Sequence, residues 1–220
     1  MHHELLRYGN VDALTSAAAD YVAEIAHVAI AANGTFRLAV SGGTTPLVMF
    51  DKLAALDVPW ENVVIYQVDE RVAPLADPAR NLTNLQVSFA NVPVTIKAMP
   101  VNNDDLEAGT QQYGRELPSR FDLIHLGLGS DGHTASLLPG DSVLDVNDRL
   151  VALSGPYQGH QRMTLTYPAL AQSDQILWLI AGGDKASSLS LLMRADPSIP
   201  AGRVVGAQSL IMADAAAAPQ

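Results

Sequence analysis

Three short apolar segments of this 220-residue chain run directly into turns that contain two or more glycines. The segments span residues 36–40, 121–126 and 176–181, and each is too short for a free-standing helix but long enough for a buried strand. Stretches with helical periodicity separate them. Strands that alternate with helices of about 10 to 15 residues indicate βαβ units. We therefore expect an α/β fold with a doubly wound, mostly parallel sheet and helices on both faces, in three α/β/α layers.

The same periodicities set the expected limits of each element. Expected helices span residues 12–32, 46–56, 81–89, 103–117 and 186–194, and a helix of one or two turns begins at Thr134. Expected strands span residues 36–40, 63–68, 92–99, 121–126, 150–153, 162–167, 176–181 and 210–213, with 92–99 at an edge of the sheet because of Pro93. The alanine-rich end from Ala215 is expected to be frayed. No repeat or linker interrupts the chain, so residues 1–220 are predicted to form one domain.

Composition excludes several classes of partner. The formal net charge is -10, whereas nucleic acids and anionic membrane surfaces require a basic field. The sequence has no cysteine, no apolar run of about 18 residues and no signal-peptide pattern at its N-terminus. We expect a cytoplasmic protein, a monomer or weak homo-oligomer, whose partner is a small molecule and not a nucleic acid or a membrane.

The turn after the first of these segments has the composition of an anion site. Gly42 and Gly43 allow a ligand to approach the backbone, Thr45 is the expected N-cap, and Pro46 is the expected first helical residue. The free N–H groups and the positive dipole end of a helix N-terminus bind phosphate. An ordinary helix cap is the alternative, but two consecutive glycines are more than a cap needs.

Two basic residues lie at comparable positions after other strands. Arg71 follows the strand at 63–68, where its planar guanidinium is placed to bind a phosphate or carboxylate. Lys185 lies in the first turn of the expected helix at 186–194, where a cation is unfavourable unless a bound anion offsets it. A solvated loop is the alternative reading of the charges at 69–71.

The turn after residues 121–126 has the composition of a catalytic loop. Asp131 and His133 stand among Gly127, Gly129 and Gly132, and both side chains exchange protons. The alternatives are a structural histidine and a dinucleotide fingerprint, because the three glycines fit its spacing. The dinucleotide reading fails because Pro139 ends any helix early and Asp131 would repel the phosphates. Because strand ends in a parallel sheet share one edge, we expect the three glycine turns to converge on one crevice.

Four motifs, SGGTTP, VDER, LGLGSDGHTASLLPG and AGGDKA, occur in the order found in the 6-phosphogluconolactonase family, and the chain resembles that family from about residue 40 to 186. The related glucosamine-6-phosphate isomerase/deaminase family shares the fold but shows DGHIAFNEP after the histidine. Residues 134–139, TASLLP, favour the lactonase. Two departures are Thr44 where serine is usual, and Arg80 before Asn81 where serine is more common.

The resemblance implies an enzyme that hydrolyses 6-phospho-D-glucono-1,5-lactone to 6-phosphogluconate in the oxidative pentose phosphate route. It implies His133 as the base that activates water, supported by Asp131. It places the phosphosugar among five residues: Gly42, Gly43, Thr44, Arg71 and Lys185. Neither a metal nor a cofactor is expected. Two alternatives stay open at this point: a glucosamine-6-phosphate isomerase/deaminase, and a non-catalytic sugar-phosphate sensor on the same fold.

Overall fold

The computed structural model of the protein describes residues 3–219, which form ten strands and six α-helices. The strands are β1 (Glu4–Tyr8), β2 (Phe36–Val40), β3 (Val63–Gln67), β4 (Asp69–Arg71), β5 (Thr95–Lys97), β6 (Phe121–Leu126), β7 (Val151–Tyr157), β8 (His160–Leu165), β9 (Ser173–Ile180) and β10 (Gln208–Asp214). The helices are α1 (Val11–Asn33), α2 (Thr44–Ala54), α3 (Asn81–Ser88), α4 (Leu106–Glu116), α5 (Tyr167–Leu170) and α6 (Ala186–Met193).

Seven of the strands form one parallel sheet in the order β1-β10-β9-β6-β2-β3-β5. Apolar residues of α1, α2 and α3 form a core with one face of this sheet. Residues of α4, α6 and the second sheet form the core on the other face. The predicted three-layer α/β/α fold is confirmed.

Local sequence determines the elements that were predicted most closely. Helix α1 begins after Asn10, whose side chain accepts a hydrogen bond from the Ala13 N–H at 2.9 Å. It ends at Gly34, which has a φ of 73° that favours glycine. Strand β6 is buried at all six positions, as expected for a strand covered on both faces.

The order of the strands reverses between β2 and β6. From β2 the chain proceeds to β3 and β5 on one side, whereas β6, β9, β10 and β1 lie on the other side. The carboxyl ends of β2, β6 and β9 are therefore adjacent, and each leads into a glycine turn. In open α/β sheets ligands bind at this reversal point. The prediction that the three turns converge is confirmed.

A second sheet, with the antiparallel order β4-β8-β7, was not anticipated from the sequence. Residues 69–71 were placed after the end of the strand at 63–68, with a solvated loop as the alternative, but they form a strand that pairs with β8, and Arg71 lies opposite Arg162. The segment between the predicted strands at 150–153 and 162–167 is mostly strand as well, and the hairpin turns at Gln158 and Gly159. This sheet brings the end of the hairpin over the carboxyl ends of β2 and β6.

Two predicted helix starts were wrong. No helix begins at Thr134, because Ala135 has a φ of 51° and Thr134 and Leu137 form an isolated β-bridge around a turn. Helix α2 begins at Thr44 after Gly43, so Pro46 is its third residue. Thr45 is therefore not the N-cap, and within residues 3–219 no side chain caps this helix.

The two ends of the described chain also differ from expectation. Strand β1 was not predicted, yet it pairs with β10 along its whole length. The segment after Ala215 is not frayed, because Ala217 and Ala218 are buried and their N–H groups bond to Asp214. Among residues 3–219, no helix is both long and apolar enough to cross a membrane.

Candidate active site

A cavity of about 200 Å³ lies at the carboxyl edge of the parallel sheet, over the reversal point. It brings together Gly42, Arg71, His133 and Lys185, four of the predicted site residues. Its other lining residues are Ser41, Asp69, Asn81, Gly127, Leu128, Gly129, Thr134, Ala135, Tyr157, Gln158 and Arg162. Asp131 does not line the cavity but contacts His133.

An adjoining cavity of about 210 Å³ contains the remaining predicted residues, Gly43 and Thr44. It shares Gly42, Arg71 and Asn81 with the first cavity. Because no side chain in the described part of the chain caps α2, the N–H groups at its start donate to no side-chain acceptor there. Such groups attract an anion, so the predicted phosphate-binding residues border both cavities.

His133 and Asp131 form a hydrogen-bonded pair. The His133 ring nitrogen Nδ1 lies 2.6 Å from Asp131 Oδ1, and the His133 main-chain N–H donates to the same oxygen at 3.1 Å. Burial raises the pKa of Asp131, but the hydrogen bonds and charge of His133 outweigh it and hold this pKa below its usual value. An ionised Asp131 accepts a hydrogen bond from Nδ1–H, which leaves Nε2 as the nitrogen that can accept a proton.

Two glycines of the loop make room for this pair. A methyl group at position 129 would overlap His133 Nδ1, so only glycine leaves space for the imidazole there. Gly132 has a φ of 83°, and a methyl group there would lie 2.5 Å from Ile199 Cβ. Gly129 thus leaves space for the His133 imidazole, and Gly132 allows the loop to pack closely against Ile199.

The β7–β8 hairpin contributes the wall opposite the glycine turns. The Tyr157 ring packs edge-on to the His133 imidazole, with centroids 5.2 Å apart. The Arg162 guanidinium lies 5.6 Å from the centre of the same ring. Tyr157 therefore connects the imidazole to a cationic side chain of the cavity.

The three charged residues of β4 have three different surroundings. Asp69 and Arg71 line the cavity, whereas Glu70 points away from it and is fully buried. The Glu70 carboxylate accepts hydrogen bonds from the N–H groups of Asn81 and Leu82, each at 2.8 Å. Glu70 thus caps α3, whose first helical residue is Asn81.

The Asn81 side chain instead positions Arg71. Its Oδ1 accepts from Arg71 Nη1 at 2.9 Å, and its Nδ2 donates to the Asp69 carbonyl at 2.9 Å. A methyl group at position 42 would overlap this Asn81 side chain. Gly42 is therefore required by packing against Asn81, whereas Gly43 has a φ of 130° that favours glycine.

Cations outnumber anions around the cavity. Burial and the neighbouring Arg71 lower the pKa of Arg162, whose Nη1 lies 3.8 Å from Asp69 Oδ2. Burial raises the pKa of Asp69, although Ser136 donates to it at 2.8 Å and both arginines oppose the shift. Lys185 ends the single 3₁₀ turn before α6 and pairs with Asp184 at 2.8 Å. Arg71 and Arg162 thus lie at paired positions of β4 and β8 and line the cavity with Asp69 as the one carboxylate residue among its lining residues, which favours a bound anion.

The sequence did not single out several of these cavity residues. Asp69 was noted only as part of the charged run at 69–71, and no contact was predicted for Asn81. Arg162 was assigned to a strand and Tyr157 to the segment between two strands, and neither was given a role in the site. The one signal for Arg162 was an arginine inside a strand of a chain with only 13 Lys and Arg residues. Nothing local indicated that β8 would pair with β4, and that pairing brings Arg162 to the site.

Comparison with known proteins shows which family has this arrangement. The family described as glucosamine-6-phosphate isomerases/6-phosphogluconolactonase matches residues 9–212. The chain belongs to this family. The resemblance inferred from the four motifs is therefore confirmed.

Two of the similar proteins are named 6-phosphogluconolactonases. A 6-phosphogluconolactonase of Synechocystis sp. is 35% identical over 185 residues, which is 77% of this chain and 77% of that protein. The crystal structure of a 6-phosphogluconolactonase from Shewanella baltica superposes with a TM-score of 0.88 at 25% identity, covering 97% of this chain and 98% of that one.

A third relative is much longer than this chain. The GDH/6PGL endoplasmic bifunctional protein of Oryctolagus cuniculus is 36% identical over 200 residues, which is 83% of this chain but 25% of that protein. The chain thus spans about a quarter of the length of this bifunctional relative.

Proposed function

We propose that this protein hydrolyses 6-phospho-D-glucono-1,5-lactone to 6-phosphogluconate. The proposal rests on one observation: an imidazole held by a carboxylate at 2.6 Å faces the same cavity as Arg71, Arg162 and Lys185. A base and a cationic anion site are the two groups that a phosphorylated lactone requires. The names of the relatives support the same reaction.

The first step in this proposal is the attack of water on the lactone carbonyl. His133 Nε2 accepts a proton from a water molecule, and the water oxygen forms a bond to the carbonyl carbon. Asp131 accepts a hydrogen bond from Nδ1–H, holds this tautomer and stabilises the imidazolium. The carbonyl oxygen becomes an oxyanion, for which the N–H groups of the glycine loop or the Arg71 guanidinium are the candidate donors.

The second step opens the ring. The tetrahedral intermediate breaks its bond to the ring oxygen, and that oxygen takes the proton from His133 Nε2. The products are the free acid and the sugar hydroxyl, and the imidazole returns to its neutral state. Throughout both steps Arg71, Arg162 and Lys185 hold the phosphate.

A second candidate is supported by Asp69. A buried carboxylate with a raised pKa at the cavity is a proton carrier suited to an isomerase/deaminase. Against this, Asp69 accepts a hydrogen bond from Ser136, which lies in the segment where this sequence departs from the deaminase pattern. The lactonase is therefore our first choice.

Two assays on the purified protein test the choice. Freshly made 6-phosphogluconolactone should be hydrolysed faster than its spontaneous opening in the same buffer, and glucosamine 6-phosphate should release no ammonia. The reverse pattern would establish the isomerase/deaminase, and no turnover in either assay would favour a sugar-phosphate sensor.

The role of His133 has its own test. His133→Ala should lower kcat by about two to four orders of magnitude and leave the binding of 6-phosphogluconate nearly intact, because other groups hold the phosphate. Asp131→Asn should have a smaller effect if this carboxylate only orients the imidazole. A rate within about threefold of the parent for folded His133→Ala would exclude a general-base role.

We also propose a cytoplasmic location, supported by the absence of cysteine from the sequence. The phosphosugar lactone is the proposed partner, and a monomer or weak homo-oligomer is the proposed state. Cell fractionation and light scattering of the purified protein test the location and the oligomeric state.

A further inference from the structure

Tyr157 contacts the His133 imidazole from outside the loop that carries it. The centroids of the two rings lie 5.2 Å apart, and the angle between the ring planes is 60°. Aromatic pairs prefer edge-to-face contacts at centroid distances of about 4.5 to 7 Å. The β7–β8 hairpin therefore makes an attractive contact with the proposed base.

The loop of His133 holds the imidazole at Nδ1. Asp131 accepts the hydrogen bond from this nitrogen, and Gly129 lies beside the same atom. The side chains of His133 and Asp131 are 24% and 41% exposed, so the pair is not enclosed by a core. A hydrogen bond at one atom leaves the ring able to turn about that atom, and contact with a second ring opposes this movement.

A β-bulge in β7 brings Tyr157 to this position. Ser154 pairs with Arg162. Three positions later Tyr157 pairs with His160, which is only two positions back along β8, so β7 has one extra residue here. A bulge changes the direction of the side chains that follow it, and bulges are frequent beside active sites.

Two contacts hold the bulged end of β7 without involving the base. Asp141 accepts a hydrogen bond from the Gly155 N–H at 2.7 Å. Arg162 Nη2 donates to the Tyr157 carbonyl at 3.0 Å, and the guanidinium carbon lies 5.6 Å from the centre of the Tyr157 ring. The ring is thus fixed to the hairpin before it meets the imidazole.

We propose that Tyr157 is a positioning residue for the proposed base: its ring keeps the His133 imidazole in the orientation that the hydrogen bond to Asp131 requires. The ring acts through His133 and needs no contact with the reacting atoms. This role rests on the proposed function for the use of His133 as the base, whereas the contact between the two rings does not depend on the substrate.

Two variants separate the ring from the rest of the side chain. Tyr157→Phe keeps the ring, and its kcat should stay within about twofold of the parent. Tyr157→Leu removes the ring and lets the imidazole turn. Its kcat for 6-phosphogluconolactone should fall about tenfold, since misplacing a reacting group by about 1 Å costs up to about a hundredfold. Its KM should change by less than about threefold, because the bond from Arg162 to the residue 157 carbonyl remains.

Both variants should fold. Within residues 3–219 the two hydrophobic cores do not include Tyr157, so the midpoints of urea unfolding should stay close to that of the parent. If Tyr157→Leu nevertheless fails to fold, Tyr157→Met replaces it with the same expected results.

Tyr8→Leu is the matched control. Tyr8 is also a partly buried tyrosine at the end of a strand, but it ends β1 at the edge of the parallel sheet and lines neither of the two cavities described above. Its replacement should leave kcat unchanged. A kcat of Tyr157→Leu within about twofold of the parent, or an equal loss in Tyr157→Phe, would overturn the proposal. A higher KM with an unchanged kcat would overturn it too, because the ring would then serve Arg162 and the phosphate.

A measurement without turnover separates this role from the proposed function. Nitrogen-15 NMR of the histidine rings, at a pH at which they are neutral, shows which ring nitrogen carries the proton, and His133→Ala identifies the signals of His133. The parent and Tyr157→Phe should carry the proton on Nδ1, whereas Tyr157→Leu should shift toward protonation of Nε2. If the parent does not hydrolyse the lactone, the proposed function fails, but the shift in Tyr157→Leu would still support the positioning role. Identical His133 signals in the parent and Tyr157→Leu would overturn it.

Discussion

Replacing Gly129 by alanine should abolish the proposed lactonase activity without unfolding the protein. Gly129 does not have a positive φ, so its backbone accepts alanine. A methyl group there would nevertheless overlap His133 Nδ1 and lie 2.5 Å from Asp131 Oδ1, where ordinary contacts begin at 3.4 Å. The carboxylate would have to move by about 0.9 Å and the imidazole by more, which separates or reorients the pair.

The size of the effect follows from these displacements. Misplacing a reacting group by about 1 Å costs up to about a hundredfold in rate, and complete loss of a general base costs about 10² to 10⁴. We therefore expect kcat of Gly129→Ala to fall by at least about a hundredfold, which corresponds to about 2.7 kcal/mol in the activation barrier. The cost in folding stability should be about 1 kcal/mol, because the affected hydrogen-bonded pair is partly exposed.

The assay is the hydrolysis of fresh 6-phosphogluconolactone, corrected for spontaneous opening and accompanied by urea unfolding of each variant. Gly114→Ala is the control, because its methyl group would meet only Val151 Cγ2 at 3.8 Å, on a helix outside the site. That variant should keep full activity and gain about 0.5 to 1 kcal/mol of stability. A rate for folded Gly129→Ala within about threefold of the parent would refute the assignment of His133 as the base held in this loop.

Three further predictions concern the anion site, acid stability and metals. Arg71→Ala or Lys185→Ala should lower kcat/KM about ten- to a hundredfold on the phosphorylated lactone and less on glucono-1,5-lactone, and equal losses on both would place these residues outside the phosphate site. Burial lowers the pKa of His125 to about 3, so the unfolded chain, with an ordinary pKa of about 6.5, binds the proton first as the pH falls. Stability should therefore be lost between about pH 6.5 and 3, by up to about 1.4 kcal/mol per pH unit, and urea titrations of His125→Leu should show a flatter acid dependence. Activity should survive dialysis against EDTA, and restoration of lost activity by a divalent ion would contradict the proposed water activation.

Short-range signals determined much of this fold. The limits of α1 follow from an asparagine cap and a terminal glycine, and β6 follows from six residues that are buried together. The alternation of strand, glycine turn and helix also predicts that the three turns meet, because parallel strands place their carboxyl ends at one edge. The sequence therefore predicted the fold class, and it predicted that Asp131, His133 and Arg71 lie near one crevice.

Tertiary structure decided how these residues are held. A local pattern cannot show that residues 69–71 pair with β8, about 90 positions later, and this pairing brings Arg162 opposite Arg71. A local pattern also cannot show why residue 42 is a glycine, because the side chain that excludes a larger residue there belongs to Asn81.

The wrong predictions have the same origin. The expected helix at Thr134 is replaced by a turn in which Ser136 bonds to Asp69 of the second sheet. The alanine-rich tail has little preference for one conformation on its own, but Ala217 and Ala218 gain burial against the core. Propensity and periodicity describe contacts within a few residues. The sequence therefore determined which segments are helices and strands, and the parallel direction of the strands. Pairing and burial between distant segments decided the walls of the cavity, because those contacts exist only once the chain has folded.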